Sequence, residues 1–236
     1  MILFKYATKS RPYLFLKGIR NIESFTHSPF KIIVSCDKHD TSMNRPNIIQ
    51  HIHSKPNWGI YFGPSISKVH AINRDMEHSG EWDMLVNFSD DMQFMIPGWD
   101  NILMAMIKNK WGNSTDYFAH CNDGYLGSAL PTMSIMGREY YERDNYIYHP
   151  DYSSFSCDAE AMYVAMTRKR YQYFNNVFFK HEHPANNRRL RTDRLYIENG
   201  RRGGQDTATY FRRLNNNFDL TEVIPGPYAW EQYKTI

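Results

Sequence analysis

Met84-Leu85-Val86-Asn87-Phe88-Ser89-Asp90-Asp91 is an apolar run that ends in two adjacent carboxylates. A continuous apolar segment of this length reads as a strand buried on both faces, the habit of parallel sheets. Open α/β sheets bind ligands outside the carboxyl ends of such strands. The acidic pair is therefore expected where a strand leaves the core for solvent. Two like charges side by side repel, and a hard divalent cation shared with substrate phosphate oxygens would relieve that repulsion. A solvated turn with an acidic helix cap is the plainer reading of Asp90 and Asp91 taken alone.

The same design recurs upstream. Ile2 to Tyr6 reads as a strand leaving through Ala7-Thr8-Lys9-Ser10-Arg11-Pro12, where Pro12 biases Arg11 away from helix and opens a helix carrying Leu14, Leu16 and Ile19. Ile32 to Cys36 is a second apolar strand, with Asp37 to Ser42 as its polar exit. Ser65 is expected to cap a helix bearing Ile66, Val69, Ile72 and Met76. Three strands thus place their exits on one edge.

Downstream, Asp100 is expected to cap a helix burying Ile102, Leu103, Met106 and Ile107. Leu130 to Met136 reads as a strand, Gly137 to Tyr141 as the start of a short helix, and Tyr146 to Tyr148 as an edge strand. Cys157-Asp158-Ala159-Glu160 precedes a helix with Met162, Val164, Ala165 and Met166, and Val177 to Phe179 forms a last strand ending at His181-Glu182-His183-Pro184. Asp158 fits either a helix cap or a general base, since both use a carboxylate. His181 and His183 read as surface residues or as ligands, and only one of them need face inward on extended chain.

The order of these pieces resembles metal-dependent glycosyltransferases of the GT-A fold, of the broad family 2 type, over residues 1 to 185. That resemblance implies an α/β fold: a Rossmann-like, mixed, mostly parallel sheet flanked by helices. It implies donor contacts from Thr8, Ser10 and Arg11 in the first exit loop, from Asp37 towards the nucleobase, and from Lys68 and Asn73 beyond the turn at Gly63. Ser89-Asp90-Asp91 corresponds to the family's DxD motif, with Ser89 departing from its first acidic position. By resemblance Asp91 contacts Mn²⁺ or Mg²⁺ and Asp90 lies nearer the ribose or donor sugar. Asp158 stands where inverting relatives carry the base, Glu160 is its nearest substitute, and His183, or His181 in its stead, completes the metal site. A nucleotide-sugar donor, uridine by family analogy, and transfer to an acceptor hydroxyl with inversion are the implied chemistry.

Composition bounds the rest. With 236 residues, 42% hydrophobic and 22% charged, the chain suits one compact domain with a C-terminal element, divided here as a 1–185 transferase domain and a basic 186–236 extension. No apolar stretch is long enough to span a bilayer and the N-terminus lacks the pattern of a signal peptide, so no membrane insertion and a cytoplasmic location, host cytoplasm for a viral protein, are expected. Three widely spaced cysteines, Cys36, Cys121 and Cys157, argue against a disulfide framework. Net charge is only +3, yet eight arginines fall between Arg188 and Arg213 against three acids, a pattern compatible with phosphate contact. A hydroxymethylated base in viral DNA is accordingly an acceptor to weigh beside a glycan. Gly203 and Gly204 read as a mobile loop over the donor, and Pro225-Gly226-Pro227 as a turn. A nucleotidyltransferase or phosphoryl hydrolase would use paired carboxylates too, but Thr8-Lys9-Ser10-Arg11-Pro12 lacks the glycine of a triphosphate-gripping loop. A non-catalytic nucleotide-binding domain is the remaining alternative.

Overall fold

In the computed structural model, which describes residues 1–186, 190 and 192–221, the three strong apolar runs become neighbours at the centre of the sheet. β1 (Ile2–Thr8) lies between β2 (Phe30–Asp37) and β4 (Met84–Phe88), parallel to both, and β3 (Gly59–Gly63) extends the parallel set beyond β2. On the other side β7 (Ile135–Gly137) runs antiparallel to β4 and to β6 (Phe118–Cys121), and β8 (Tyr171–Phe174) pairs parallel with β6. The order is β3-β2-β1-β4-β7-β6-β8, a mixed, mainly parallel sheet. A separate two-stranded ribbon joins β5 (Met92–Phe94) to β9 (Phe179–His181), with Met92 opposite His181.

Helices cover both faces, as the double-sided burial of β1, β2 and β4 requires. On one face α1 (Pro12–Phe25), α2 (Pro46–His53) and α4 (Trp99–Trp111) pack with Phe4, Phe88 and Phe94, and the Phe94 and Trp99 rings stack at 4.1 Å. On the other, α3 (Lys68–Asn73), α5 (Arg138–Glu142) and α6 (Cys157–Thr167) meet Leu3, Ile33 and Leu85. Two late helices, α7 (Arg194–Gly200) and α8 (Gly203–Asn215), complete the described chain, and Tyr210 of α8 and the following Phe218 enter that second core. Among the described residues no helix is long and apolar enough to cross a membrane.

Several elements depart from the sequence reading. The cap of α3 is Ser67, which accepts from the His70 amide at 3.0 Å, so Ser65 and Ile66 lie outside the helix and Ile66 is 76% exposed. Asp100 sits inside α4, after Gly98 at φ 72°, and binds the His27 and Ser28 amides at 3.1 and 2.7 Å rather than capping its own helix. Ile102 faces solvent while Leu103 and Ile107 carry the burial. Of the expected Leu130–Met136 strand only Ile135 and Met136 fall in a strand, β7. Tyr146 to Tyr148 form no strand, because the Ile147 and Tyr148 amides donate to the Asn73 side chain instead of to a neighbouring strand. Gly203 and Gly204 open α8 and are not a loop.

Candidate active site

Parallel pairing aligns the ends of β1, β2 and β4, because Thr8 stands opposite Cys36 and Tyr6 opposite Phe88. Each strand therefore delivers its exit residues to the same edge. There they line a cavity of about 840 Å³ with the first turns of α3 and α6, the residues after β9, and α7. Thr8, Arg11, Asp37, Lys68, Asp90, Asp91, Asp158, His181 and His183 all border this cavity.

The two acidic residues have different surroundings. Asp90 turns into the protein, accepting 3.0 Å hydrogen bonds from the Thr8 hydroxyl on both oxygens, with the Arg11 guanidinium 3.9 Å away. Burial lifts its pKa to about 7, helped by the charge of Asp91 and opposed by Arg11 and Thr8. Asp91 faces His181, whose Nε2 lies 3.4 Å from Oδ2, and accepts further bonds from the Ser89 hydroxyl and, at 2.9 Å, from the Tyr196 hydroxyl. Burial opposes its ionisation, but His181, Ser89 and the charge of Lys68 outweigh that and hold its pKa well below the usual carboxylate range. The ribbon register creates this pairing, since the Glu182 amide donates to the Asp91 carbonyl at 2.6 Å.

Asp158 reaches the cavity from the second position of α6. The cap position is Ser156, held at φ 62°, so Asp158 is not the cap. It accepts from the Ala159 amide at 2.9 Å, and burial pushes its pKa up despite the opposing charge of Lys68. His183 lies beside the Tyr196 ring; burial lowers its pKa, and its Nδ1 accepts from the Ala185 amide at 3.1 Å.

Three sequence candidates are taken up elsewhere. Glu160 points away from the cavity and is bound twice over by Arg213 of α8, at 2.8 Å, and by the Tyr152 hydroxyl at 2.7 Å; a carboxylate so engaged has no access to an acceptor. Asn73 uses its amide to hold the backbone of Ile147 and Tyr148. Ser10, exposed at φ 57°, anchors its own amide on Asp40 at 2.6 Å and does not border the cavity. Sequence reasoning missed others. Lys9 stands between Asp37, at 3.2 Å, and Glu198 of α7, at 3.5 Å. Tyr196 has no local signal at all, being brought to Asp91 from 105 residues away. Arg188, Arg189 and Pro225-Gly226-Pro227 lie outside the described residues.

The donor set fits a divalent cation held by few protein ligands. Asp91 Oδ2 and His181 Nε2, 3.4 Å apart, are the two atoms that would hold it. The buried Nδ1 of His181 has no hydrogen-bond partner among the described residues. No cluster of three or more His, Cys, Asp or Glu side chains forms a ready metal cage among those residues. Water or other oxygen ligands would fill the other positions, as hard cations accept.

By sequence, no family model and no curated protein matches the chain. By structure it is similar to the mannosyltransferase PcManGT from Pyrobaculum calidifontis, solved in complex with GDP-Man and Mn²⁺, with a TM-score of 0.63 and 14% identity over 98% of this chain and 67% of that one. It is also similar to S. aureus TarS 1–349, with a TM-score of 0.60 and 10% identity over 78% of this chain and 61% of that one. The same TarS fragment in complex with UDP-GlcNAc matches with a TM-score of 0.58 and 10% identity, over 76% of this chain and 57% of that one. In these two matches the chain spans less than two thirds of the TarS fragment. Its fold is that of the GT-A glycosyltransferases.

Proposed function

We propose that the protein is a metal-dependent glycosyltransferase that moves a sugar from a nucleoside diphosphate donor to an acceptor hydroxyl with inversion. The observation that carries this reading is the meeting, in one cavity, of a carboxylate–imidazole pair at Asp91 and His181 with a second, separately positioned carboxylate at Asp158. Either alone has a bland role; together they supply a place for a diphosphate-bound cation and a base for the incoming nucleophile.

Asp37, at the end of β2, is assigned to the nucleobase side, and Arg11 and Lys68 to the negative charge of the donor. Mn²⁺ or Mg²⁺ bound at Asp91 and His181 would neutralise the charge that grows on the leaving diphosphate. Asp158 takes the proton of the acceptor hydroxyl as its oxygen bonds to the anomeric carbon, while the bond from that carbon to the diphosphate breaks on the opposite face. The raised pKa of Asp158 makes it a better proton acceptor than an ordinary aspartate.

A glycan is the proposed acceptor. Ile66, Leu126, Leu130 and Phe155 border the cavity and offer the apolar wall on which a sugar ring face packs. Of the described arginines of the late basic segment, Arg213 is buried against Glu160 and Asp219, whereas Arg194 and Arg212 form exposed pairs with Glu198 and Asp151. That leaves fewer of them for the phosphates of DNA, which counts against the nucleic-acid acceptor. For the donor base, structural neighbours were solved with both GDP-Man and UDP-GlcNAc, so uridine, favoured by family analogy, is tested beside guanosine.

The test is a panel of nucleoside diphosphates and nucleotide sugars, each with and without Mn²⁺ or Mg²⁺, read as a rise in melting temperature. A metal-dependent rise with one base is expected, lost in Asp91→Ala together with sugar transfer while the circular dichroism spectrum is kept. Sugar transfer that survives in Asp91→Ala would overturn the metal assignment.

A further inference from the structure

Helix α7 engages the groups that a cation-bound diphosphate would need. Asp193, which caps α7, receives two parallel hydrogen bonds from Arg11, at 2.7 and 2.8 Å. The Tyr196 hydroxyl donates to Asp91 at 2.9 Å, and the Arg11 guanidinium lies 4.1 Å over the Tyr196 ring. Glu198 lies 3.5 Å from the Lys9 ammonium. The pattern of charge is specific: carboxylates face the two cations of the first exit loop, and a proton donor faces the carboxylate assigned to the metal.

Arginine forks onto carboxylate and phosphate with the same bidentate geometry, so Asp193 sits on Arg11 as a phosphate would. With Nε and one terminal nitrogen of Arg11 taken, and the other facing Asp90 at 3.9 Å, a diphosphate at this guanidinium has to displace Asp193. Retaining Asp193 and Glu198 beside a diphosphate would set like charges together. The hold of α7 is polar, moreover. None of its residues is buried, whereas α8, next in the chain, buries Asp206, Tyr210 and Arg213. An element without buried apolar anchors can leave its seat without opening the core.

We propose that α7 is an internal competitor of the donor, with Asp193 and Glu198 standing in for phosphate oxygens and the Tyr196 hydroxyl for the cation, and that donor and cation displace these contacts when they bind. The inference rests on the donor site proposed above. Closure of α7 lowers the apparent affinity for Mn²⁺ and nucleotide by the fraction of molecules in the open state, and binding in turn loosens α7.

Mn²⁺ alone, and then Mn²⁺ with UDP or GDP, titrated by calorimetry against the wild type, Tyr196→Phe and the double variant Asp193→Asn/Glu198→Gln, tests this. Tyr196→Phe keeps the ring under Arg11 and removes one hydroxyl, so the fold is retained. Loss of a hydrogen bond to a charged group is expected to tighten Mn²⁺ binding by about tenfold, and the double variant to tighten nucleotide binding by a similar factor. Variant affinities equal to or weaker than wild type, with wild-type binding intact, would overturn the competitor while sparing the donor site. No binding of any Mn²⁺–nucleotide pair by wild type or variants would overturn the donor site and the competitor with it.

Discussion

Asp158 and Glu160 are two residues apart, share one helix turn and have the same chemistry, yet the fold gives them opposite roles. Asp158 borders the cavity with one amide donor, whereas Glu160 is saturated by Arg213 and Tyr152. As the proposed base, Asp158 must be ionised to work, and its pKa is raised by burial, so transfer is expected to fall as pH drops through a value above the ordinary aspartate range. Asp158→Asn should lower kcat by about 10²–10⁴-fold with little change in donor affinity, and should abolish that acidic limb. A variant that keeps the limb would assign it to another group. The acidic pair after β4 was legible because a strand end fixes where adjacent residues go. The fates of Glu160 and Asn73 were not, because partners 53 and 75 residues distant decide them.

At the level of elements, the loop before α6 is held by a side chain of α8. Asp206, fully buried, accepts from the amides of Ser153, Ser154 and Phe155 at 2.7 to 2.8 Å. Asp206→Ala leaves three amides without that acceptor and is expected to cost about 3–5 kcal/mol, lowering the melting temperature by roughly 6–20 °C. Because this loop leads into Asp158, the variant should also lose transfer activity out of proportion to its loss of folded protein at low temperature. An unchanged urea midpoint would show that the loop is held by other contacts. The central strands β1, β2 and β4 were readable because burial on both faces writes an unbroken apolar run. Strands β6 and β8, Phe118–Cys121 and Tyr171–Phe174, mix polar and aromatic residues over four positions, and pairing with each other across 53 residues, with β7 on the far side of β6, makes them strands. Tyr146 to Tyr148 show the converse, an aromatic segment of strand-like composition whose amides find a side-chain acceptor first.

For the molecule as a whole, the sequence divides at residue 185, where the basic segment begins, but the packing continues across that point. Arg213 closes an ion pair on Glu160 with both side chains about 95% buried, Tyr210 and Phe218 fill the core beneath α6, and Asp206 fixes the loop that feeds the site. Removing residues 186–236 would strip Glu160 of its cation and uncover the second core beneath α6. Each lost aromatic costs about 2–3 kcal/mol of burial. With the amides freed by loss of Asp206, the total is on the order of 10 kcal/mol, comparable with the whole stability of about 5–15 kcal/mol typical of a domain. A chain of residues 1–185 is therefore expected to show no cooperative thermal transition and to lose its near-ultraviolet circular dichroism, even though every strand of the sheet and most of the proposed site lie within it. A single sharp transition within a few degrees of the intact protein would instead make 186–236 an appendage. The expected outcome binds stability to function, since the segment that completes the second core also carries α7 to the proposed donor site. Divergence in this segment would then alter affinity and folding together, which gives a physical reason for the late helices to stay with the sheet.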